Sequence, residues 1–128
     1  MPTVLIVDDY ASVRSAIRAG LERYSGFSVC GEAVDGADAI EKATKFHPDL
    51  ILLDLSMPGM NGMETASVLK RLMPQVLIVA FSMYAELLGE SPPSSVGIDA
   101  VIDKLAGIGK VVECARNLLG VCNNLTAS

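Results

Sequence analysis

Five residues that close apolar runs could carry chemistry in this sequence. Asp8 and Asp9 follow VLIV, Asp54 follows LILL, Ser82 follows VLIVAF, and Lys104 closes DAVIDK. Taken singly, each also fits a structural role. The acid pair suits the start of a helix, whose dipole favours negative charge. Asp54 with SMPGMNG suits a turn, Ser82 suits an N-cap, and Lys104 suits a solvated charge. Gathered on one rim they read differently. Three carboxylates repel one another unless a cation sits among them, and an all-oxygen set calls for a hard divalent ion. Mg²⁺ is the simplest choice, and it would keep several of its waters. Such an ion beside a carboxylate, an ammonium and a hydroxyl makes up a phosphoryl-transfer set. Aspartate is a nucleophile that forms acyl phosphates, metal and lysine neutralise phosphoryl oxygens, and the hydroxyl donates to one of them.

For these residues to meet, separate strands must end side by side. Apolar runs at about 3–7, 27–31, 50–53, 76–81 and 100–102 recur along the chain with helix-period segments between them, a βα repeat in structure. The first helix is expected over Ser12–Tyr24, with Val13, Ile17, Leu21 and Tyr24 inward and Arg14, Arg18 and Glu22 facing water. The second is expected over Ala37–Phe46, with Ala39, Ile40, Ala43 and Phe46 inward. The third should cover Met63–Leu72 and stop before Pro74, and the last Gly107–Leu119, with Gly120 as C-cap. Between Ser82 and Asp99, Gly89, Pro92, Pro93 and Gly97 limit helix formation. Only a short helix at about Tyr84–Leu88, then an irregular loop, is expected there. Five such units imply an α/β fold: one doubly wound parallel sheet with helices on both faces and ligands beyond the carboxyl ends of the strands.

The 128 residues suit one domain, placed at 1–122 with 123–128 as a tail or the start of a linker. Hydrophobic residues form 51% of the chain and mean hydropathy is +0.43. The apolar runs nevertheless fall far short of the ~18–20 residues needed to span a bilayer, and read as strands buried on both faces. A net charge of −5 with scattered Lys and Arg argues against direct nucleic-acid binding. No basic region or cleavage site marks the N-terminus for export, and Cys30, Cys114 and Cys122 form an odd set without a CxxC. These features point to reduced, mostly buried thiols in a cytoplasmic protein. His47 has no partner in the sequence and is assigned no function.

From about Thr3 to Leu119 the chain resembles the receiver domain of two-component response regulators, of the kind often joined to helix-turn-helix output domains. The resemblance rests on VLIVDD, PDLILLDLSMPGMNG, the serine after VLIVAF, and DAVIDK. It implies a flavodoxin-like strand order, 2-1-3-4-5, and a regulatory phosphoacceptor rather than an enzyme. By resemblance Asp54 accepts a phosphoryl group from a phosphohistidine on a sensor kinase or phosphotransfer protein. Asp9, Asp54 and the backbone carbonyl of Ser56 would ligate Mg²⁺, with Asp8 acting mainly through water. Lys104 would pair with the phosphoryl group and Ser82 would be the switch hydroxyl. Ser56 and Tyr84 would line the path of the hydrolytic water. The acyl phosphate would then shift a conformational equilibrium read by an output partner or a domain beyond this chain.

Three positions depart from the family pattern. Val101 stands where an aromatic switch residue is usual, Met83 where a small residue is usual, and Pro92 and Pro93 fall in the helix that follows the fourth strand. They imply coupling routed differently, through ordering of the 83–98 loop, and leave open a receiver that binds partners without phosphorylation. Homodimerisation through the altered face is also left open. A haloacid-dehalogenase-type phosphatase would need an acid at Ser56. A flavodoxin would need a phosphate-binding loop where DDYAS stands.

Overall fold

The continuous apolar runs become neighbouring strands of one parallel sheet. The structure, a computed structural model, describes residues 2–23, 26–55, 62–82, 97–103 and 107–120. In chain order the elements are β1 (Thr3–Val7), α1 (Ala11–Arg23), β2 (Ser28–Ala33), α2 (Gly36–Phe46), β3 (Leu50–Asp54), α3 (Gly62–Leu72), β4 (Leu77–Ser82), β5 (Ala100–Asp103) and α4 (Ile108–Leu119). Every pairing is parallel, as the βα repeat predicts, and the sheet order is β2-β1-β3-β4-β5, as the family resemblance implies. The short helix expected at Tyr84–Leu88 and the loop after it, up to residue 96, lie outside the described residues, as does Cys122. No helix among the described residues is long and apolar enough to cross a membrane.

Strand residues alternate between two cores, one on each face of the sheet. Leu5, Val7, Ile51, Leu53, Ile78 and Ala80 meet Ala39 and Ala43 of α2 and Ala66 and Leu69 of α3. Val4, Ile6, Leu50, Leu52, Val79, Phe81 and Ile102 meet Ile17 and Leu21 of α1 and Val111, Val112 and Ala115 of α4. Burial on both faces explains why the runs read as continuous rather than alternating.

Local chemistry sets the element ends. Asp35 caps α2 by accepting from the Asp38 N–H at 2.8 Å, and Asp38 in turn accepts from the Val34 N–H at 3.0 Å. His47 ends the same helix in the left-handed region (φ 50°), donating its N–H to the Ala43 carbonyl. This capping position is the structural role of the lone histidine. Gly120 caps α4 at φ 71°, as expected.

Four expectations need correction. β2 runs on past Gly31, because its pairing with β1 continues to Val7 opposite Ala33 after a register shift. Phe46 remains 39% exposed although its ring lies over Gly31. Arg14 and Arg18 do not simply face water but reach across to Glu32 of β2. Cys30 and Cys114 are free thiols as expected, but half-buried rather than mostly buried, and burial pushes the pKa of each upward.

Asp99 extends the sheet ladder with its side chain. Its Oδ2 accepts from the Ile78 N–H at 2.8 Å and from Lys70 Nζ at 2.8 Å, while Lys70 also donates to the Val76 carbonyl. One carboxylate thus ties the end of α3, the start of β4 and the entry to β5. Asp99→Ala would strand the Ile78 N–H and is expected to cost about 1–3 kcal/mol. Urea denaturation measures this, and an unchanged midpoint would refute the ladder role.

Candidate functional site

Register brings the strand-end acids together. Val7 of β1 stands opposite Leu53 of β3. The next residues along these parallel strands, Asp8 and Asp54, therefore emerge side by side at the carboxyl edge of the sheet. Asp54 in turn stands opposite Phe81 of β4. The chain after β1 turns sharply into α1, as the Tyr10 N–H donates to Asp8 Oδ1 at 2.8 Å. The helix-start reading of Asp8 thus holds in part, alongside its place on the rim.

One carboxylate oxygen from each of Asp8, Asp9 and Asp54 can be chosen so that all three lie within 4.8 Å of one another. Asp8 and Asp54 are 0% and 1% exposed, and Asp9 is half-buried. Gathering anions away from water is costly unless positive charge compensates. The donor set is all oxygen and bears up to three negative charges, which suits a hard divalent cation. Two ligands on an octahedral ion with bonds of about 2.1 Å stand at most about 4.2 Å apart. Separations of no more than 4.8 Å are compatible with one such ion among the three carboxylates, held directly or through its waters.

Of the other expected site residues, only Ser82 and Val101 fall among the described residues. Ser82 ends β4 in register with Asp103 of β5. Lys104 is the next residue in the chain, and with Ser56, Met83 and Tyr84 it lies outside the described residues. Val101 stands opposite Ala80 and is half-buried against the core shared with α2 and α3.

Beneath the acids lies a network that the sequence pattern did not reveal. Arg14 Nη1 donates to the Asp8 carbonyl at 2.6 Å, and its Nε donates to Glu32 Oε1 at 2.9 Å. Arg18 Nε donates to Glu32 Oε2 at 2.7 Å, and Lys42 Nζ donates to the Glu32 carbonyl. Burial alone would raise the Glu32 pKa, but hydrogen bonds and charge from Arg18 and Arg14 outweigh it and hold the carboxyl below its ordinary value. The available signal was the four-residue spacing of Arg14 and Arg18, which places both on one helix face.

Comparison with known proteins agrees with this architecture. Residues 4–116 match the family model for the response regulator receiver domain. The response regulator protein VraR of Staphylococcus saprophyticus is 37% identical over 113 residues, covering 88% of this chain and 54% of that protein. The response regulator GacA of Pseudomonas viridiflava is 33% identical over 116 residues, covering 91% of this chain and 54% of that protein. The chain thus spans about half the length of these curated relatives. The crystal structure of the response regulator domain of Thermotoga maritima CheB superposes with a TM-score of 0.78 at 27% identity, over 96% of this chain and 97% of that one. With its sheet order, its strand-end acids and these relatives in agreement, the chain belongs to the response regulator receiver domain family.

Proposed function

We propose that this chain is a phosphoacceptor whose nucleophile is Asp54. A carboxylate oxygen of Asp54 attacks the phosphorus of a phosphohistidine on a sensor kinase or phosphotransfer protein. The new P–O bond forms as the P–N bond breaks, and the imidazole nitrogen keeps the electron pair. Lys104 pairs with the transferred group, and Ser82 donates its hydroxyl to a phosphoryl oxygen. Water attack on phosphorus later returns the carboxylate and inorganic phosphate, along a path lined by Ser56 and Tyr84. The acids that would hold Mg²⁺ are Asp9 and Asp54, with the Ser56 carbonyl and, through water, Asp8. When bound, the ion neutralises charge on the phosphoryl oxygens. The observation that carries this reading is the convergence of Asp8, Asp9 and Asp54 at the carboxyl edge of the sheet.

The acyl phosphate then shifts an equilibrium between two conformations, which an output domain beyond this chain or a separate partner reads. One observation favours a second reading, a receiver that binds its partner without phosphorylation. Val101 is a half-buried member of the core, so no aromatic ring is available there to change sides. Incubation with acetyl phosphate followed by intact mass separates the two readings. The proposal expects a gain of about 80 Da that requires Mg²⁺ and disappears with a chelator. No gain in Mg²⁺ overturns it and favours the interaction module.

A further inference from the structure

We infer that Arg14 is a positioning residue that sets the direction of the two adjacent acids, Asp8 and Asp9, for binding a divalent cation. The inference rests on the phosphoacceptor reading of the same pocket. The Asp8 backbone is held on both sides of its Cα. Its N–H donates to the Ala33 carbonyl at 3.0 Å, and its carbonyl accepts from Arg14 Nη1 at 2.6 Å. That carbonyl belongs to the planar peptide unit joining Asp8 to Asp9, so fixing it fixes the direction in which the Asp9 Cα departs. A loop between strand and helix has no ladder partner to do this, and a side chain from the first turns of α1 supplies one.

Arg14 is itself held. Its side chain is only 14% exposed, and its Nε is bound by one oxygen of Glu32 while Arg18 occupies the other. The Glu32 backbone is tied to α2 through Lys42. The guanidinium spans the distance from the Glu32 carboxylate to the Asp8 carbonyl because its donors lie in one rigid plane. A lysine ammonium in its place is a point donor on a flexible stem, without the fork that spans both acceptors. The chain thus runs from α2 through β2 and α1 to the peptide between the acids, with Arg14 as the last link.

The structure contains its own control. Arg18 shares the Glu32 carboxylate with Arg14, and its hydrogen bond runs to Glu32 and not to the Asp8 carbonyl. A role limited to the Glu32 ion pair would make the two arginines comparable in Mg²⁺ binding, since each donates its Nε to one Glu32 oxygen. Electrostatics alone makes a different prediction: removing a cation beside three carboxylates should tighten binding of a divalent ion. Positioning requires the opposite sign, and only at Arg14.

The test is calorimetric titration of Mg²⁺ into the full chain as wild type, Arg14→Ala, Arg14→Lys and Arg18→Ala, with circular dichroism to confirm folding. Supporting groups behind metal ligands typically contribute 10–100-fold in affinity. Both Arg14 variants are expected to weaken Mg²⁺ binding about tenfold, with Arg18→Ala close to wild type. Labelling by acetyl phosphate should recover in both Arg14 variants at saturating Mg²⁺, because the nucleophile is untouched. Arg14→Lys keeps charge and bulk, so the comparison survives if Arg14→Ala does not fold. Equal or tighter binding by the folded Arg14 variants overturns the inference alone, as does an equal loss in Arg18→Ala. A wild type that binds no Mg²⁺ overturns the phosphoacceptor reading and this inference with it.

Discussion

Asp54→Asn is expected to gain no mass from acetyl phosphate in Mg²⁺ and, in chelator, to be more stable than the wild type. The first half follows from chemistry: an amide offers no anionic oxygen to attack phosphorus. The second half follows from crowding. Oxygens of Asp8, Asp9 and Asp54 lie within 4.8 Å of one another. Unit charges about 4–5 Å apart in an effective dielectric of 20 repel by about 3–4 kcal/mol. Asparagine keeps the shape and removes one of these charges. Asp54 also makes contacts that an amide retains only in part, so the net gain expected is on the order of 1–2 kcal/mol. Added Mg²⁺ should close the gap, since a ligand at a hundred times its Kd stabilises its binder by about 2.7 kcal/mol. Guanidinium denaturation of both proteins in chelator and in Mg²⁺ gives the four values required. A variant less stable than wild type in chelator would remove charge repulsion as a feature of the site.

The acids could be read from sequence because their placement depends on few things. Once LILL and VLIV are buried in adjacent parallel strands, the next residue of each must appear at the same edge, and Asp8 and Asp54 do so. The two-core architecture was equally accessible, since continuous apolar strands and helices with one apolar stripe admit few other arrangements. What the pattern missed depends on distances between elements. Arg14 and Glu32 are eighteen positions apart, and their pairing follows from the packing of α1 across the β1–β2 edge, which no local periodicity encodes. The same holds for Phe46. Its spacing in α2 predicts an inward ring, and the ring does lie against Gly31, but β2 is the edge strand of the sheet and, among the described residues, no further strand lies beyond it to cover the ring. β2 outlasts its expected end because ladder hydrogen bonds to β1 outweigh the weak strand preference of Gly31.

Gly62→Ala is expected to lower stability by about 3 kcal/mol and to slow phosphoryl uptake, although glycine-to-alanine changes within helices ordinarily stabilise. Gly62 is buried at the first position of α3. A Cβ there would stand 2.8 Å from the Leu55 Cα, 2.7 Å from Leu55 Cδ2 and 3.2 Å from the Asp54 carbonyl oxygen. The Leu55 side chain could rotate aside, but its Cα cannot. Either α3 lifts from the sheet and opens the core around Ala66 and Leu69, or the Asp54–Leu55 backbone moves and carries the Asp54 carboxylate with it. Overpacking of a core typically costs about 1–3 kcal/mol, and contact with backbone puts this case at the upper end. Gly109 supplies the opposite case within the same fold. It is exposed in the first turn of α4, and a Cβ there meets nothing within 4 Å. Gly109→Ala should therefore stabilise by about 0.5–1 kcal/mol through the lower backbone entropy of its unfolded chain. Thermal melts of the two variants should move in opposite directions. Labelling should be slowed only by Gly62→Ala, because only that substitution presses on the strand end that carries Asp54. A Gly62→Ala protein that melts and labels like wild type would mean that α3 is free to shift at its N-terminus without disturbing the acidic rim.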